Sequence, residues 1–384
     1  MHNNRLGRDE PVAAIRLAFV GDICLAGGLQ ADLRKRGSDH PFSAVKRAFE
    51  SADLVIGNLE CCIVDHPAEV DPPPNIMTVP ESLASGLPTS GINIVSLSNN
   101  HILDGGELGL ISTTHFLDKH RIRHFGAGCH LDEAERPLFL ECKGRRIAFL
   151  GACDVPLVFG ADAKCGVPPM VAKRLGRRVA KCKEAADIVV VSIHADLEFT
   201  SYPAPSRVRL SRWLVEQGAD LVVQHHPHVC QGVEFHEDGL IAYSLGNFIF
   251  RVQGNEYFMR HQGTDWGLVL LVDVNAEVNR NKINYELVPV TINADNQTVL
   301  STGEDRERQL SMLSMFSDGL GDWRVVRRAR MARCLAEARM NLYGLYYLWR
   351  RQGISAAFKS GFSTLKNPYE RRWMYSLMSM GMLG

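Results

Sequence analysis

Residues 218–250 read GADLVVQHHPHVCQGVEFHEDGLIAYSLGNFIF and decide the fold of the chain. The apolar, β-branched run at 221–223 predicts a buried strand, and Pro227 predicts where that strand stops. Three histidines lie at this strand end, namely His225, His226 and His228. Neutral imidazole is the most common protein metal ligand, and histidines beside a proline can converge on one ion. The stretch therefore predicts a strand that delivers metal ligands at its carboxyl end, with surface or core histidines as the alternative.

Composition indicates an ordinary soluble globular protein of 384 residues, of which 46% are hydrophobic and 22% charged. The 43 Lys and Arg residues balance the 43 Asp and Glu residues, so net charge gives no reason to expect a nucleic-acid partner. Residues 1–14 lack the apolar segment of a secretion signal, and no apolar stretch of about 18 residues follows. We therefore expect a cytoplasmic protein, either free or peripheral at the inner membrane. The ten cysteines form no CxxC pair, so we expect free thiols.

A short apolar strand followed by polar side chains recurs along the chain. Five strand ends carry candidate metal ligands, which are Asp22, Asn58, Glu60, Asn100, His194, His226 and His228. The carboxyl ends of parallel strands meet at one edge of a sheet, so these side chains can converge although they are far apart in sequence. Carboxylate, amide and imidazole donors together suit Mn²⁺, Fe²⁺ or Zn²⁺ better than Ca²⁺ or Mg²⁺. Because the candidates outnumber the about four ligands of one zinc ion, we expect two divalent metal ions with one shared ligand.

Four further polar residues complete the predicted site. His101 directly follows a candidate ligand, and it can protonate a leaving group or stabilise an oxyanion. Asp104 lies three positions after His101 and can orient its imidazole. We expect Glu198, four positions beyond a candidate ligand, and Asn247, within YSLGNF, to contact substrate. For Asn247 the alternative is that it fixes a turn beside the site.

Six motifs occur in order along the chain. They are GDICL at 21–25, GNLE at 57–60, LSNNHILDGGELGL at 97–110, GAG followed by EAERP within 126–137, GADLVVQHHPHVCQGVE at 218–234 and IAYSLGNFIF at 241–250. Together they resemble the motif set of the bacterial capsule-synthesis CapA family, the poly-γ-glutamate biosynthesis proteins, a branch of the calcineurin-like metallophosphoesterases. The resemblance covers about residues 15–293. It implies an α/β fold, a two-sheet metallophosphoesterase-like sandwich flanked by helices, with a dinuclear metal centre at the strand ends.

The resemblance also implies roles for individual positions. Asp22 matches the ligand of the first strand, and Asn58 stands where the wider superfamily has a bridging aspartate. Glu60, which belongs to the GNLE motif, is the rival for that bridging role. The remaining matches are Asn100 with His101, the lone middle histidine His194, and the terminal pair His226 and His228. His225 is then expected to support the ligands without binding metal itself.

Four residues depart from the family pattern. Cys24 stands where the wider superfamily has histidine, and we interpret it as a buried small residue, with a thiolate ligand as the alternative. Ala195 and Asp196 replace a Trp-Gly pair, and Gln224 replaces a glycine. We expect these last changes to alter the substrate more than the metal site.

The chain divides into three parts on this interpretation. Residues 1–14 form a flexible N-terminal arm, residues 15–293 form the CapA-like domain, and residues 294–384 form a linker and a helical, basic and aromatic extension. A solvated face, or docking onto the domain, is the expected role of the basic helix at 324–339. Its alternative role is to bind an anionic polymer or a membrane.

The main functional hypothesis is a dinuclear metal-dependent hydrolase or transferase in capsule or exopolymer biosynthesis. It would act on a phosphoester or an amide of an anionic polymer such as poly-γ-glutamate, or of its precursor. One alternative is a non-catalytic assembly component, which holds polymer-synthesis machinery or a membrane surface through the C-terminal helices. Asn58 favours that alternative, because an amide in the bridging position adds no charge to hold two cations. The other alternative is a tailoring enzyme in small-molecule biosynthesis.

Overall fold

Sixteen strands and nine α-helices form in the residues that the computed structural model describes, which are 14–65, 76–154, 165–277 and 280–355. The strands are β1 (Ile15–Ile23), β2 (Leu54–Leu59), β3 (Cys62–Val64), β4 (Thr78–Pro80), β5 (Ile94–Ser96), β6 (Arg123–Phe125), β7 (Leu138–Cys142), β8 (Arg145–Cys153), β9 (Ile188–His194), β10 (Leu221–His225), β11 (Val233–His236), β12 (Gly239–Ala242), β13 (Asn247–Ile249), β14 (Trp266–Glu277), β15 (Arg280–Ile292) and β16 (Thr298–Leu300). The helices are α1 (Leu29–Arg36), α2 (Glu81–Ala84), α3 (Gly106–Lys119), α4 (Leu131–Ala134), α5 (Ala172–Lys183), α6 (Pro205–Glu216), α7 (Glu256–Met259), α8 (Gly303–Asp318) and α9 (Trp323–Gln352). Short 3-10 turns occur at Lys46–Ala48 and Gly319–Gly321.

Two β-sheets carry most of the strands. The first has eight strands in the order β16-β15-β14-β1-β2-β5-β6, and β13 pairs with β1 outside this path. The second has six strands in the order β11-β12-β10-β9-β8-β7. β3 and β4 form a separate small pair. β1, β2, β5 and β6 are parallel, as are β8, β9, β10 and β12, so each sheet presents the carboxyl ends of a parallel group at one edge.

The two sheets pack against each other through a shared apolar core. Phe19 of β1 lies in this core together with Phe149 of β8 and Val223 of β10. Helices cover the outer faces, since Phe116 of α3 packs on the first sheet and Leu214 of α6 on the second. Strands that are buried on both faces need continuous apolar runs, which explains the pattern of β1, β9 and β10.

The α/β fold expected from the sequence, a two-sheet sandwich flanked by helices with a helical C-terminal extension, is confirmed. α8 and α9 form the extension. Before them, β16 pairs with β15 as the edge strand of the first sheet, so residues just beyond the expected boundary at 293 continue that sheet. Residues 1–13 of the expected N-terminal arm, and residues 356–384, lie outside the described residues. Among the described helices, none is both long enough and apolar enough to cross a membrane.

One pair of cysteines departs from the expectation of free thiols. Cys129 and Cys165 form a disulfide across 36 positions, whereas the other eight cysteines are free. An antiparallel bridge between Gly128 and Gly166, with N–H···O distances of 3.0 and 2.8 Å, brings the two cysteines side by side. The sequence-based expectation is wrong for this pair. The two cysteines become neighbours through tertiary pairing, which no local spacing motif in the sequence indicates.

Candidate metal centre

Strand pairing brings the polar residues of the first sheet together. Asp22 of β1 lies opposite Asn58 of β2 and opposite Asn247 of β13. The ladder is irregular at Asp22, and such irregularities re-aim side chains. At Gly21 an added Cβ would clash with the carbonyl oxygen of Gly246, and Asp22 N–H donates to that same oxygen at 3.0 Å. The glycine therefore allows β1 and the turn before β13 to approach closely at the base of the site.

β9 and β10 bring histidines from the second sheet. His194 and His225 are register partners at the ends of these strands. Beyond β10, His226 and His228 adopt φ angles of +98° and +56°, left-handed values that cost a non-glycine residue about 1–3 kcal/mol. Pro227 between them cannot continue the hydrogen-bonded ladder. The chain therefore turns at the strand end, and both imidazoles join clusters of possible metal donors.

Two of these donor clusters share one carboxylate, that of Glu60. The first cluster joins Glu60, His194 and His226, the second joins Glu60, Asp22 and His228, and within each the donor atoms lie within 4.8 Å of one another. His194 Nε2 is 3.4 Å and His228 Nε2 is 3.8 Å from Glu60 Oε1. His228 Nδ1 is 3.6 Å from Asp22 Oδ2. The structure thus brings together two carboxylates and three imidazoles that lie far apart in sequence.

The environment of Glu60 tests whether these residues fit divalent metal ions. Glu60 is fully buried, and neither of its carboxylate oxygens makes a hydrogen bond within the described part of the chain. Burial, followed by the charges of Asp22 and Glu198, raises the pKa of Glu60 well above its usual value. An ionised carboxylate here is therefore strongly disfavoured unless a cation compensates for its burial. The surrounding oxygen and nitrogen donors suit Mn²⁺, Fe²⁺ or Zn²⁺, so the residues fit such ions.

Asp22 and His194 are held in the protonation states that metal ligands require. Burial alone would raise the pKa of Asp22, but the close contact and charge of His225, the charge of His228 and the amide of Asn58 lower it overall. His225 Nδ1 lies 3.2 Å from Asp22 Oδ1. Burial, and then the neighbouring histidines, lower the pKa of His194 well below its usual value. Asp22 is thus favoured as a carboxylate and His194 as a neutral imidazole.

Asn58 uses both ends of its amide within the protein. Its Nδ2 donates to Asp22 Oδ1 at 2.8 Å, and its Oδ1 accepts a hydrogen bond from Asn99 Nδ2 at 3.1 Å. Of the two rivals for the bridging position, Glu60 belongs to both donor clusters and makes no hydrogen bond in the described residues, whereas both ends of the Asn58 amide are already hydrogen-bonded. Asn58 therefore holds Asp22 in place from the neighbouring strand.

Asn100 and His101 follow β5. Asn100 Oδ1 is 2.6 Å from His194 Nε2, so this candidate ligand contacts another one. His101 Nδ1 is 2.8 Å from Asp104 Oδ2, and the same carboxylate oxygen accepts the N–H of Met77 at 2.6 Å. The His101 side chain remains 20% exposed. A carboxylate on Nδ1 orients the ring and leaves Nε2 as the nitrogen that can exchange a proton with a substrate.

The two expected substrate contacts occupy different environments. Glu198 forms a third donor cluster with His226 and His228. Asn247 is fully buried, its Oδ1 lies 2.9 Å from His228 Nδ1, and its Nδ2 donates to the carbonyl oxygen of Thr264 at 2.9 Å. Glu198 therefore lies at the centre itself, whereas Asn247 orients one of the histidines.

Aromatic residues around His228 are absent from the sequence-based prediction. The ring centroids of Phe250, Phe258 and Phe199 lie 5.0, 5.2 and 6.3 Å from that of His228. They come from separate segments, so no periodic pattern links them. Phe250 alone carried a sequence signal, as the last residue of IAYSLGNFIF.

Cys24 lies beside Cys61 in the core next to the site. Hydrogen bonding to Cys61, and then burial, raise the pKa of the Cys24 thiol well above its usual value. A thiol with a raised pKa stays protonated at neutral pH. This favours the interpretation of Cys24 as a buried small residue over a thiolate ligand.

Comparison with known proteins places the chain in a family. The family described as bacterial capsule synthesis protein PGA_cap matches residues 16–252. Capsule biosynthesis protein CapA of Bacillus anthracis is 28% identical over 288 residues, covering 67% of this chain and 69% of that protein. PGA biosynthesis protein CapA of Bacillus subtilis (strain 168) is 29% identical over 280 residues, covering 67% and 71%. A solved 5'-nucleotidase precursor from Thermus thermophilus has a TM-score of 0.43 and 12% identity, covering 80% of this chain and 59% of that one. The family match spans more than half of the chain and contains every candidate ligand, and the chain therefore belongs to the bacterial capsule synthesis protein family PGA_cap.

Proposed function

We propose that this chain is a dinuclear metal-dependent hydrolase or transferase of capsule or exopolymer biosynthesis, acting on a phosphoester or an amide. The observation that carries the proposal is the environment of Glu60. This carboxylate is buried, makes no hydrogen bond in the described residues and belongs to two donor clusters. A carboxylate shared in this way suits a bridge between two cations, so Glu60 and not Asn58 is the proposed bridge. Membership of the capsule synthesis family supports the biosynthetic context. The proposed substrate is an anionic polymer such as poly-γ-glutamate, or its precursor.

Different residues would hold the ions and move the proton. The two donor clusters, with Asn100 beside them, would hold two Mn²⁺, Fe²⁺ or Zn²⁺ ions. When bound, the ions supply Lewis-acid polarisation of a phosphoryl or amide oxygen. Asp104 orients His101 through Nδ1, so that Nε2 can donate a proton to the leaving group. Glu198, beside the ligand histidines, is the proposed contact between the metal centre and the substrate.

Metal content and a His101 substitution together test this proposal. The purified protein is analysed for bound Mn, Fe and Zn by mass spectrometry, and hydrolysis of bis(p-nitrophenyl) phosphate and of poly-γ-glutamate is followed. His101→Ala should retain the metal and lower kcat by about 10²–10⁴-fold. His115→Ala, at an exposed histidine of α3, should match the wild type. A protein that binds no transition metal and gains no activity from Mn²⁺, Fe²⁺ or Zn²⁺ contradicts the proposal.

The outer face of α9 favours a second candidate function, a component that holds a membrane surface during polymer assembly. Nine large apolar side chains of α9 are 38–71% exposed, namely Trp323, Val325, Met331, Leu335, Leu342, Tyr343, Tyr346, Tyr347 and Trp349. Arg324, Arg327 and Arg328 lie beside Trp323, Met331 and Leu335 in the first turns of the helix. Exposed apolar side chains next to arginines suit an anionic lipid surface, because apolar side chains enter the interface while guanidinium groups bind headgroups. A polyanion in solution would use the arginines but leave the apolar side chains in water.

Vesicle flotation tests this second candidate. The protein should float with vesicles that contain phosphatidylglycerol, and much less with pure phosphatidylcholine or at high salt. The triple variant Arg324→Glu, Arg327→Glu and Arg328→Glu should lose flotation, whereas Arg306→Glu at an exposed position of α8 should retain it. Failure to float with anionic vesicles, or equal flotation with neutral ones, would exclude this anionic surface as the partner.

A further inference from the structure

The inner face of α9 reaches residues 195–204, the β9–α6 loop. Arg330 of α9 is 3% exposed, and its Nη2 lies 2.8 Å from Asp196 Oδ1. Its Nη1 donates to the carbonyl oxygen of Tyr202 at 3.0 Å. One buried guanidinium therefore contacts this loop near its beginning and near its end. A buried arginine is tolerated where its charge is paired and its donors are used, as they are here.

Asp196 also ties the β9–α6 loop to itself. Its Oδ1 accepts the N–H of Leu197 at 2.7 Å, and its Oδ2 accepts the N–H of Ala204 at 2.6 Å. Asp196 and Phe199 have φ angles of +94° and +59°. Non-glycine residues keep such angles only where surrounding contacts over-determine the backbone. The ion pair with Arg330 is one of those contacts, and its loss would leave the buried carboxylate without this cation.

The same loop carries two side chains to the metal centre. Glu198 forms a donor cluster with His226 and His228, the two proposed ligands in the His-Pro-His turn at 226–228. The N–H of Phe199 donates to the carbonyl oxygen of Pro227, inside that turn, at 2.8 Å. A second arginine of α9, Arg333, lies 5.3 Å from the centre of the Phe199 ring. Direct contacts thus lead from α9 through the loop to the proposed ligands.

We propose that Arg330 is a positioning residue of the metal centre, which holds the β9–α6 loop so that Glu198 stays beside the His-Pro-His turn. The inference rests on the proposed metal function and deepens it. It assigns a role to a helix that lies outside residues 16–252, the part that matches the family. Metal affinity then depends on a side chain 128 positions beyond the loop residue that it contacts. On this inference the inner face of α9 supports the metal centre, while its outer face remains available for the proposed membrane contact.

Calorimetric titration of the full chain with Mn²⁺ tests the inference. Arg330→Ala should weaken Mn²⁺ binding by about 10-fold or more, the effect typical of residues that orient metal ligands. Arg330→Lys keeps the charge but loses the planar fork, so it should recover part of the affinity. Arg339→Ala, at an exposed position of the same helix, is the matched control and should bind Mn²⁺ as the wild type does. Each titration is run below the unfolding temperature of the variant.

A double-mutant cycle separates positioning from a general loss of stability. If Arg330 acts through Glu198, then Arg330→Ala combined with Glu198→Gln should bind Mn²⁺ no more weakly than Glu198→Gln alone. Hydrogen–deuterium exchange adds a readout without metal, and Arg330→Ala should exchange faster at 195–204 than the wild type. The inference would be overturned if the two substitutions lowered Mn²⁺ affinity additively, or if folded Arg330→Ala bound Mn²⁺ as the wild type does. Either result would leave the proposed function intact. A wild-type protein that binds no Mn²⁺, Fe²⁺ or Zn²⁺ would overturn both.

Discussion

Neighbouring histidines at the end of β10 perform separate tasks at the scale of single residues. His225 contacts Asp22, whereas His226 and His228 belong to the donor clusters that share Glu60. In a continuing strand these side chains would alternate between the two faces of the sheet. The left-handed φ angles at His226 and His228 break that alternation. The sequence shows the three histidines and their spacing, but it does not predict these φ angles. Tertiary contacts select such angles, and residue type does not.

Glu60→Gln tests the proposed bridge by comparing stability with and without metal. In EDTA the variant should unfold at no lower temperature than the wild type, because the carboxylate it replaces is buried and makes no hydrogen bonds in the described residues. With Mn²⁺ at 100-fold its dissociation constant, the wild type should gain about 2.7 kcal/mol, and the variant much less. Thermal unfolding measures both. Glu184→Gln, at an exposed position after α5, is the control and should be stabilised by Mn²⁺ as much as the wild type is. Equal stabilisation of Glu60→Gln by Mn²⁺ would rule out Glu60 as the shared ligand.

Secondary-structure elements differ in how far the sequence predicts them. β1, β2, β9 and β10 follow from apolar runs that stop at polar side chains, because buried parallel strands require such runs. The sequence pattern predicts that α9 is a helix, but it does not predict which face of α9 packs on the domain. Arg330 is buried and Arg328 is exposed, although both are arginines of one basic segment. The difference is made by Asp196, a partner that only the tertiary fold brings near.

His261, which follows α7, gives a pH prediction at this scale. Burial, and then the charge of Arg333, lower the pKa of His261 to about 4, with Arg260 lowering and Glu337 raising it. The unfolded chain, with a histidine pKa of about 6.5, binds more protons between about pH 6.5 and 4. The free energy of unfolding therefore falls as the pH falls through this range.

Urea denaturation at about pH 7 and about pH 4.5 measures this loss. His261→Phe keeps an aromatic ring against Phe199, which His261 stacks on at 4.0 Å, and removes the titrating group. Its loss of stability between the two pH values should be smaller than that of the wild type. His115→Phe, at an exposed histidine, should lose as much as the wild type. An identical loss in all three proteins would show that His261 contributes nothing.

At the scale of the whole molecule, both sheets contribute donors to one centre. Asp22 and Glu60 lie at the ends of first-sheet strands, while His194 ends β9 of the second sheet and His226 and His228 follow β10. The packing between the sheets therefore sets the distances between donors. The two-sheet arrangement was predictable from the ordered motifs. The edge strand β16 and the Cys129–Cys165 disulfide were not, because neither has a local sequence signature.

Phe149→Ala tests how strongly sheet packing controls the centre. Phe149 is fully buried between the sheets, with its ring centroid 5.8 Å from that of Phe125. Its truncation should lower the free energy of unfolding by about 3–5 kcal/mol and also weaken Mn²⁺ binding. Leu175→Ala, in the separate core beneath α5, should lower stability by about 2–5 kcal/mol while leaving Mn²⁺ affinity near that of the wild type. Urea denaturation and calorimetry compare the two variants, and equal losses of affinity would contradict this role of the sheet interface.

The hydrogen bond from His226 N–H to Asp22 Oδ2 joins residues 204 positions apart. During synthesis the carboxylates of the first sheet leave the ribosome long before the histidines of the second. A nascent or prematurely terminated chain therefore carries the acidic half of the centre without its imidazoles. Capture of the proposed ions has to wait until both sheets are made and docked. On the proposed function, metal loading would therefore be a late event in biogenesis, which follows the translation of residue 228.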